Sequence, residues 1–156
     1  VEGFKDMNKL TVKIKTLENF KGDLPQYQST GASGVDVRAQ LEGSAVTLKK
    51  GERAMIPTGL SFEIPLGFEI QARPRSGWAA KSGLTVLNTP GTIDADYRGE
   101  VKIIVINLGQ EDVVINDQER CAQLVVAPVI QAQFELVNDL STTERGAGGF
   151  GSTGRA

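Results

Sequence analysis

The 156 residues carry a net charge of −2, no His and one Cys, enough chain for one domain that buries about 70% of its unfolded surface. That balance gives no global field to recruit nucleic acid. It removes imidazole as a base or metal ligand and rules out an intrachain disulfide or a Cys-rich zinc site. A catalytic proton acceptor therefore falls to a carboxylate, and a metal to a hard cation held by oxygen ligands and phosphates.

Val1 to Lys9 is mixed and short of apolar residues, unlike a secretory signal. Met7 is either an initiator behind added residues or internal. No run of about 18 apolar residues could span a bilayer, so a cytoplasmic protein is the default expectation.

Period-two alternation dominates from Leu10 onward. Leu10, Val12 and Ile14 alternate with Thr11, Lys13 and Lys15, which predicts a strand with one face buried. Strands are next expected at Val35–Ala39, Ala45–Lys49, Glu52–Ile56, Leu60–Ile64 and Phe68–Ala72, with Gly43, Gly51, Pro57, Gly59, Pro65 and Gly67 punctuating them. The only expected helix is short, Gly77 to Ser82. An apolar run then ends in Asn88-Thr89-Pro90, and Gly91 to Glu100 reads as the turn before a strand at Val101–Leu108. Further strands are expected at Val113–Asn116, Arg120–Val126 and Gln131–Val137. Many short strands at this spacing argue for an all-β sandwich, jelly roll or barrel.

Val101–Leu108 breaks the alternation, because Ile103 to Ile106 are consecutive apolar residues. Such a strand needs cover on both faces, from a sandwich core or from a neighbouring subunit.

Five segments carry groups suited to nucleotide chemistry. Gly91-Thr-Ile-Asp-Ala-Asp-Tyr-Arg-Gly-Glu100 holds carboxylates, an aromatic plate and a cation on one connection. Gly31-Ala-Ser-Gly-Val-Asp-Val-Arg38 sets Asp36 among apolar neighbours, where it needs a cation or a donor; an Arg or metal-bound waters would both serve. Arg73-Pro-Arg-Ser-Gly-Trp-Ala-Ala-Lys81 places Ser76 and Gly77 at a helix start, either as an anion site beside Arg75 or as a Ser N-cap with a solvent-facing Arg. Arg120-Cys-Ala-Gln-Leu124 puts Arg120 and Gln123 on a strand, with Cys121 as a small core residue. Arg145 to Gly154 contains five Gly and holds no regular structure unaided. It is either a disordered terminus or a phosphate cradle in which Arg145, Ser152 and Thr153 bind oxygens and Phe150 stacks on a base. It is no P-loop, since the required Lys is missing.

Ser33-Gly-Val-Asp-Val37, Pro74-Arg-Ser-Gly77, Gly91 to Gly99, Arg120 to Leu124 and Arg145 to Gly154, in that order, resemble the trimeric dUTP pyrophosphatase (dUTPase) family. The match spans residues 33 to 154. It departs at Ser33, where the family usually has Ala, at Val35 (an aromatic), at Val37 (Leu) and at Cys121 (Ile or Val), none of which removes a proposed functional group.

The resemblance implies a jelly-roll-like β-barrel of the β-clip type, residues 1–144, with a flexible Gly-rich arm, residues 145–156, that completes a neighbour's active site. It implies a homotrimer that hydrolyses dUTP to dUMP and pyrophosphate with Mg2+, supplying dUMP for dTMP synthesis and keeping uracil out of DNA. One subunit would supply Asn88 to Tyr97 for base and sugar. A second would supply Arg75, Ser76, Gly77 and Gln123 for phosphates, with Asp36 and Gln123 reaching the metal through water. The third would lay Arg145, Phe150, Gly151, Ser152 and Thr153 across the site. Asp94 would activate the water that attacks the α-phosphorus in line.

Specificity has a physical logic within that scheme. Asn88 and the backbone of Thr92, Ile93 and Lys102 would pair with the uracil edge. A tight pocket rejects the thymine methyl by overpacking, at about 1–3 kcal/mol. Cytosine exchanges donor for acceptor and leaves buried groups unpaired. Tyr97 against the sugar leaves no room for a 2′-hydroxyl, while Asp96 and Arg98 are expected to serve the turn and its ion pairs.

Two rivals remain at this level. dCTP deaminases share the fold, but the Asp94–Tyr97 spacing and the aromatic tail fit the pyrophosphatase better; a zinc deaminase lacks its ligands. A non-catalytic nucleotide-sensing module on the same scaffold is the other, and the presence of every proposed catalytic group argues against it.

Overall fold

A computed structural model describes residues 10–149 of the chain. Among the described residues there are eleven strands and one helix. In chain order they are β1 (Lys13–Thr16), β2 (Val35–Arg38), β3 (Val46–Leu48), β4 (Arg53–Pro57), β5 (Leu60–Glu63), β6 (Phe68–Arg73), α1 (Ser76–Ser82), β7 (Leu84–Val86), β8 (Gly91–Ile93), β9 (Lys102–Asn107), β10 (Val113–Ile115) and β11 (Arg120–Pro128). The expected all-β fold with one short helix is what forms. No described helix is long and apolar enough to cross a membrane.

All pairings are antiparallel. The sheets run β2-β11-β6-β8 and β4-β9-β7, with two-stranded ribbons β1-β5 and β10-β3. Side chains from all four meet in one core: Val37, Ile70 and Leu124 from the first sheet, Ile56, Leu84, Ile103 and Val105 from the second, Leu60 and Leu48 from the ribbons. Burying each such side chain contributes about 1.5–3 kcal/mol.

A register break between Arg120 and Ala122 in the β11–β2 pairing shapes the site wall. An extra residue there lets Cys121 and Ala122 both turn into the core, at 1% and 0% exposure, while Arg120 and Gln123 stay on the outer face. Cys121 is thus the small core residue expected from sequence.

Several expectations need correction. Residues 131–137 form no strand: Phe134 and Leu136 are 94% and 100% exposed. Alternation needs an edge to pair with, and residues 131–137 make no pairing with this chain's sheets, whose last strand ends at Pro128. β1 buries no face, because it pairs only with β5 in a two-stranded ribbon. Gly91 to Ile93 is not turn but strand β8, recruited by β6.

β9 settles into alternation after all. Ile103, Val105 and Asn107 face inward, and Ile104 and Ile106 face outward half-buried. Beside them Met55, opposite Ile104 in register, is 64% exposed. Among the described residues no second sheet covers the outward side of this one, so the sandwich explanation for the apolar run fails on that face.

Candidate active site

Asp94 leaves β8 directly into a braced turn. The Tyr97 N–H donates to the Asp94 carbonyl at 3.2 Å, and the Tyr97 hydroxyl donates to the Glu100 carbonyl at 2.9 Å. Arg98 donates to the Ala95 and Tyr97 carbonyls at 2.7 and 3.1 Å. Its role as a turn residue holds; it makes no ion pair, and Asp96 makes none either, among the described residues.

This turn walls an open groove of about 410 Å³, lined by Thr92, Ile93, Asp94, Tyr97 and Lys102 and closed by Met55, Glu100, Val101 and Ile104. Among the described residues β8 pairs only with β6, so its other backbone edge has no sheet partner there. Free N–H and C=O groups on an edge strand can read a flat heterocycle by its hydrogen-bonding edge. Asn88 does not line the groove; its amide packs against Gly91, where an added Cβ would sit 3.1 Å from it.

A second cluster forms where β2, β11 and the end of β6 meet. Asp36 receives Arg75 Nε at 3.0 Å on Oδ1 and lies 3.5 Å from Arg120 Nη1 through Oδ2. Gln123, opposite Asp36 in register, donates to the Pro74 carbonyl at 3.0 Å. A Cβ at Gly34 would stand 2.6 Å from the Gln123 carbonyl oxygen, so glycine keeps that space open. Of the two alternatives for Asp36, pairing with Arg is realised. Arg75 occupies the N-cap position of α1 with no side-chain cap, and Ser76 and Gly77 follow as helical residues, so the Ser N-cap reading does not hold. Burial pushes the Cys121 thiol, behind this cluster, from 9.0 up to about 12.

Among the described residues no three Asp, Glu, Cys or His side chains gather as ligands. The cluster therefore makes no protein cage for a divalent cation. It does fit a cation brought in on phosphates and touched through water, since both Asp36 oxygens retain acceptor capacity and Gln123 adds an amide oxygen.

The two clusters are far apart within one chain. β2 and β8 lie at opposite edges of the four-stranded sheet. Asp36 is in register with Arg73 through Gln123, whereas Asp94 continues past Ile93, which pairs with Ile70. Three strand spacings across and four residues along put the two carboxylates roughly 19 Å apart. Arg145 belongs to neither cluster; it donates to the Gly148 carbonyl at 2.8 Å in an exposed turn. Phe150, Gly151, Ser152 and Thr153 lie outside the described residues.

The family model for dUTPase matches residues 21–154. The chain belongs to the dUTPase family. It is 87% identical over 150 residues to the deoxyuridine 5′-triphosphate nucleotidohydrolase of Bdellovibrio bacteriovorus, covering 96% of this chain and 100% of that one. Against the enzyme of the same name from Rhizobium etli the identity is 57%, over 92% and 94% of the two chains. Among solved structures, the dUTPase of Staphylococcus bacteriophage 80alpha with dUpNHpp superposes with a TM-score of 0.79 at 28% identity, over 93% of this chain and 99% of that one. A point mutant of it, also with dUpNHpp, gives 0.81 at 26%, over 93% and 99%. The dUTPase fold is thus reproduced over nearly the whole of both chains.

Sequence reasoning missed Met55, Glu100, Val101 and Ile104 as groove walls. Glu100 had a local signal, as a carboxylate directly after the Asp94–Gly99 turn. The other three look like ordinary strand residues, and only register brings them to the dUTPase groove.

Proposed function

We propose that the chain hydrolyses dUTP to dUMP and pyrophosphate by in-line attack of an Asp94-held water on the α-phosphorus, at sites shared by three subunits. Membership of the family makes it a dUTP diphosphatase; the mechanism and the trimer are our reading. The observation that carries it is Asp94 and Tyr97 on one braced turn beside a free strand edge.

The uracil edge pairs with the backbone of Thr92, Ile93 and Lys102, with Asn88 contributing from the far side of Gly91. Tyr97 packs on the deoxyribose and blocks a 2′-hydroxyl. Asp94 orients the water and accepts its proton; positioning and charge stabilisation supply the rest of the acceleration. Arg75, Ser76, Gly77 and Gln123 bind phosphate oxygens. Mg2+, when bound, neutralises phosphate charge and fixes the shape of the triphosphate. Asp36 and Gln123 would hold it through waters, and Asp36 meanwhile keeps Arg75 in place.

The separation of roughly 19 Å between Asp94 and Asp36 supports sharing, because one triphosphate cannot reach both within a chain. The exposed Met55 beside outward-facing Ile104 and Ile106 supports a subunit contact behind the barrel wall. The arm from Arg145, with Phe150, Gly151, Ser152 and Thr153, completes the site from the third subunit. Its product supplies dTMP synthesis and its substrate loss keeps uracil out of DNA, a role consistent with a cytoplasmic enzyme.

Pyrophosphate release from dUTP, dCTP and dTTP, with ammonia release followed in parallel, tests the reading. Pyrophosphate from dUTP alone, without ammonia, is expected. Equal turnover of all three, or ammonia from dCTP, would defeat it.

A further inference from the structure

Glu100 sits at the foot of the catalytic turn, and its side chain is only 16% exposed. Oε1 accepts two hydrogen bonds, from the Gly59 N–H at 2.9 Å and from Asn19 Nδ2 at 3.1 Å. Oε2 lies 3.6 Å from Lys102 Nζ. The backbone carbonyl of the same residue receives the Tyr97 hydroxyl at 2.9 Å. One residue therefore joins the sugar-facing aromatic to three separate parts of the barrel.

The partner at Gly59 is tightly packed. Gly59 has φ +66, and a Cβ there would stand 2.9 Å from Phe20 Cα. The neighbouring contacts fix the same junction: Thr58 Oγ1 donates to the Val101 carbonyl at 2.6 Å, and the Val101 N–H donates to the Leu60 carbonyl at 2.8 Å. Among these bonds Glu100 is the side chain whose single oxygen accepts two at once. It is also the link that reaches the segment before β2, through Asn19.

We infer that Glu100 is a positioning residue that sets where the Tyr97 ring lies, and through it the choice of deoxyribose over ribose. The inference rests on the reading of Tyr97 as the sugar-facing wall. Removing the carboxylate leaves the Gly59 N–H and the Asn19 amide without their acceptor and lets the foot of the turn shift. The Tyr97 hydroxyl follows its carbonyl partner, and the ring moves away from the sugar. Room then opens for a 2′-hydroxyl. The charge itself is secondary: an amide oxygen at the same position can accept both hydrogen bonds.

The test compares kcat/KM for dUTP and UTP in the full-length chain carrying Glu100→Ala, Glu100→Asp or Glu100→Gln, at a temperature where near-ultraviolet circular dichroism matches the unsubstituted protein. Glu100→Ala should lower the dUTP-to-UTP ratio at least tenfold, and Glu100→Gln should restore it to within about threefold of the starting value. If Glu100→Ala does not fold, Glu100→Asp, one methylene too short to reach Gly59, takes its place with the same expectation. A ratio unchanged within twofold in the folded Ala or Asp variant overturns the inference, as does a Gln variant as impaired as Ala. An unsubstituted chain that does not turn over dUTP brings down the proposed function as well, whereas an active chain with an unmoved ratio brings down this inference alone.

Discussion

The Tyr97 hydroxyl occupies the space that a Cβ on Gly99 would need. The ring folds back over the turn it belongs to, and its hydroxyl reaches the Glu100 carbonyl across a glycine that offers no side chain. Gly99 does not have a positive φ, so its value here is the missing side chain and not backbone freedom.

Gly99→Ala should therefore fold normally and still displace Tyr97. A misplacement of about 1 Å in a reacting geometry can cost 10²-fold. We expect kcat/KM for dUTP to fall by roughly that factor, with a melting temperature close to that of the parent. Full activity in a folded Gly99→Ala protein would mean that the Tyr97 ring does not need its present place.

The proposed sharing of sites predicts complementation. Asp94→Ala chains and chains ending before Arg145 should each be inactive. Unfolded together and refolded, they should form mixed trimers in which about a quarter of sites combine an intact Asp94 with an intact arm. Activity rising toward that fraction is expected, read as pyrophosphate release. Mixed trimers verified by mass that remain inactive would mean that each subunit works alone.

Cys121 makes a prediction about pH. Its folded thiol is pushed from 9.0 up to about 12 by burial, so the unfolded chain loses this proton first. Below pH 9.0 the two states bind it equally and stability is unaffected; between 9.0 and about 12 the native state falls by up to about 1.4 kcal/mol per pH unit. Denaturant titrations at pH 8 and pH 10 should show a steeper loss in the parent than in Cys121→Ala. Parallel profiles would contradict the buried thiol, as would rapid labelling of Cys121 in the native protein at pH 8.

How much of the fold and site is legible in the sequence depends on how local each signal is. β2, β5, β6 and β11 are readable because alternation and Gly or Pro punctuation are written within the segment itself. Residues 131–137 carry the same alternation and form no strand, because pairing depends on an edge elsewhere. Asp94 and Tyr97 stand out because two carboxylates, a Tyr and an Arg share one connection. Met55 and Ile104 do not, because they become groove walls only through the β4–β9 register. The Asp36–Arg75 pair joins residues 39 apart; sequence offers both an Arg and metal-bound water as partners, and only packing can choose.

The most direct measurement is the fate of labelled oxygen when dUTP is hydrolysed in 18O-enriched water. Attack on the α-phosphorus places the label in dUMP and leaves pyrophosphate unlabelled, and Asp94→Asn should slow this turnover by 10²–10⁴-fold without changing the fold. Label recovered in pyrophosphate, or Asp94→Asn turning over at the parent rate, would contradict a water held by Asp94 behind the α-phosphorus.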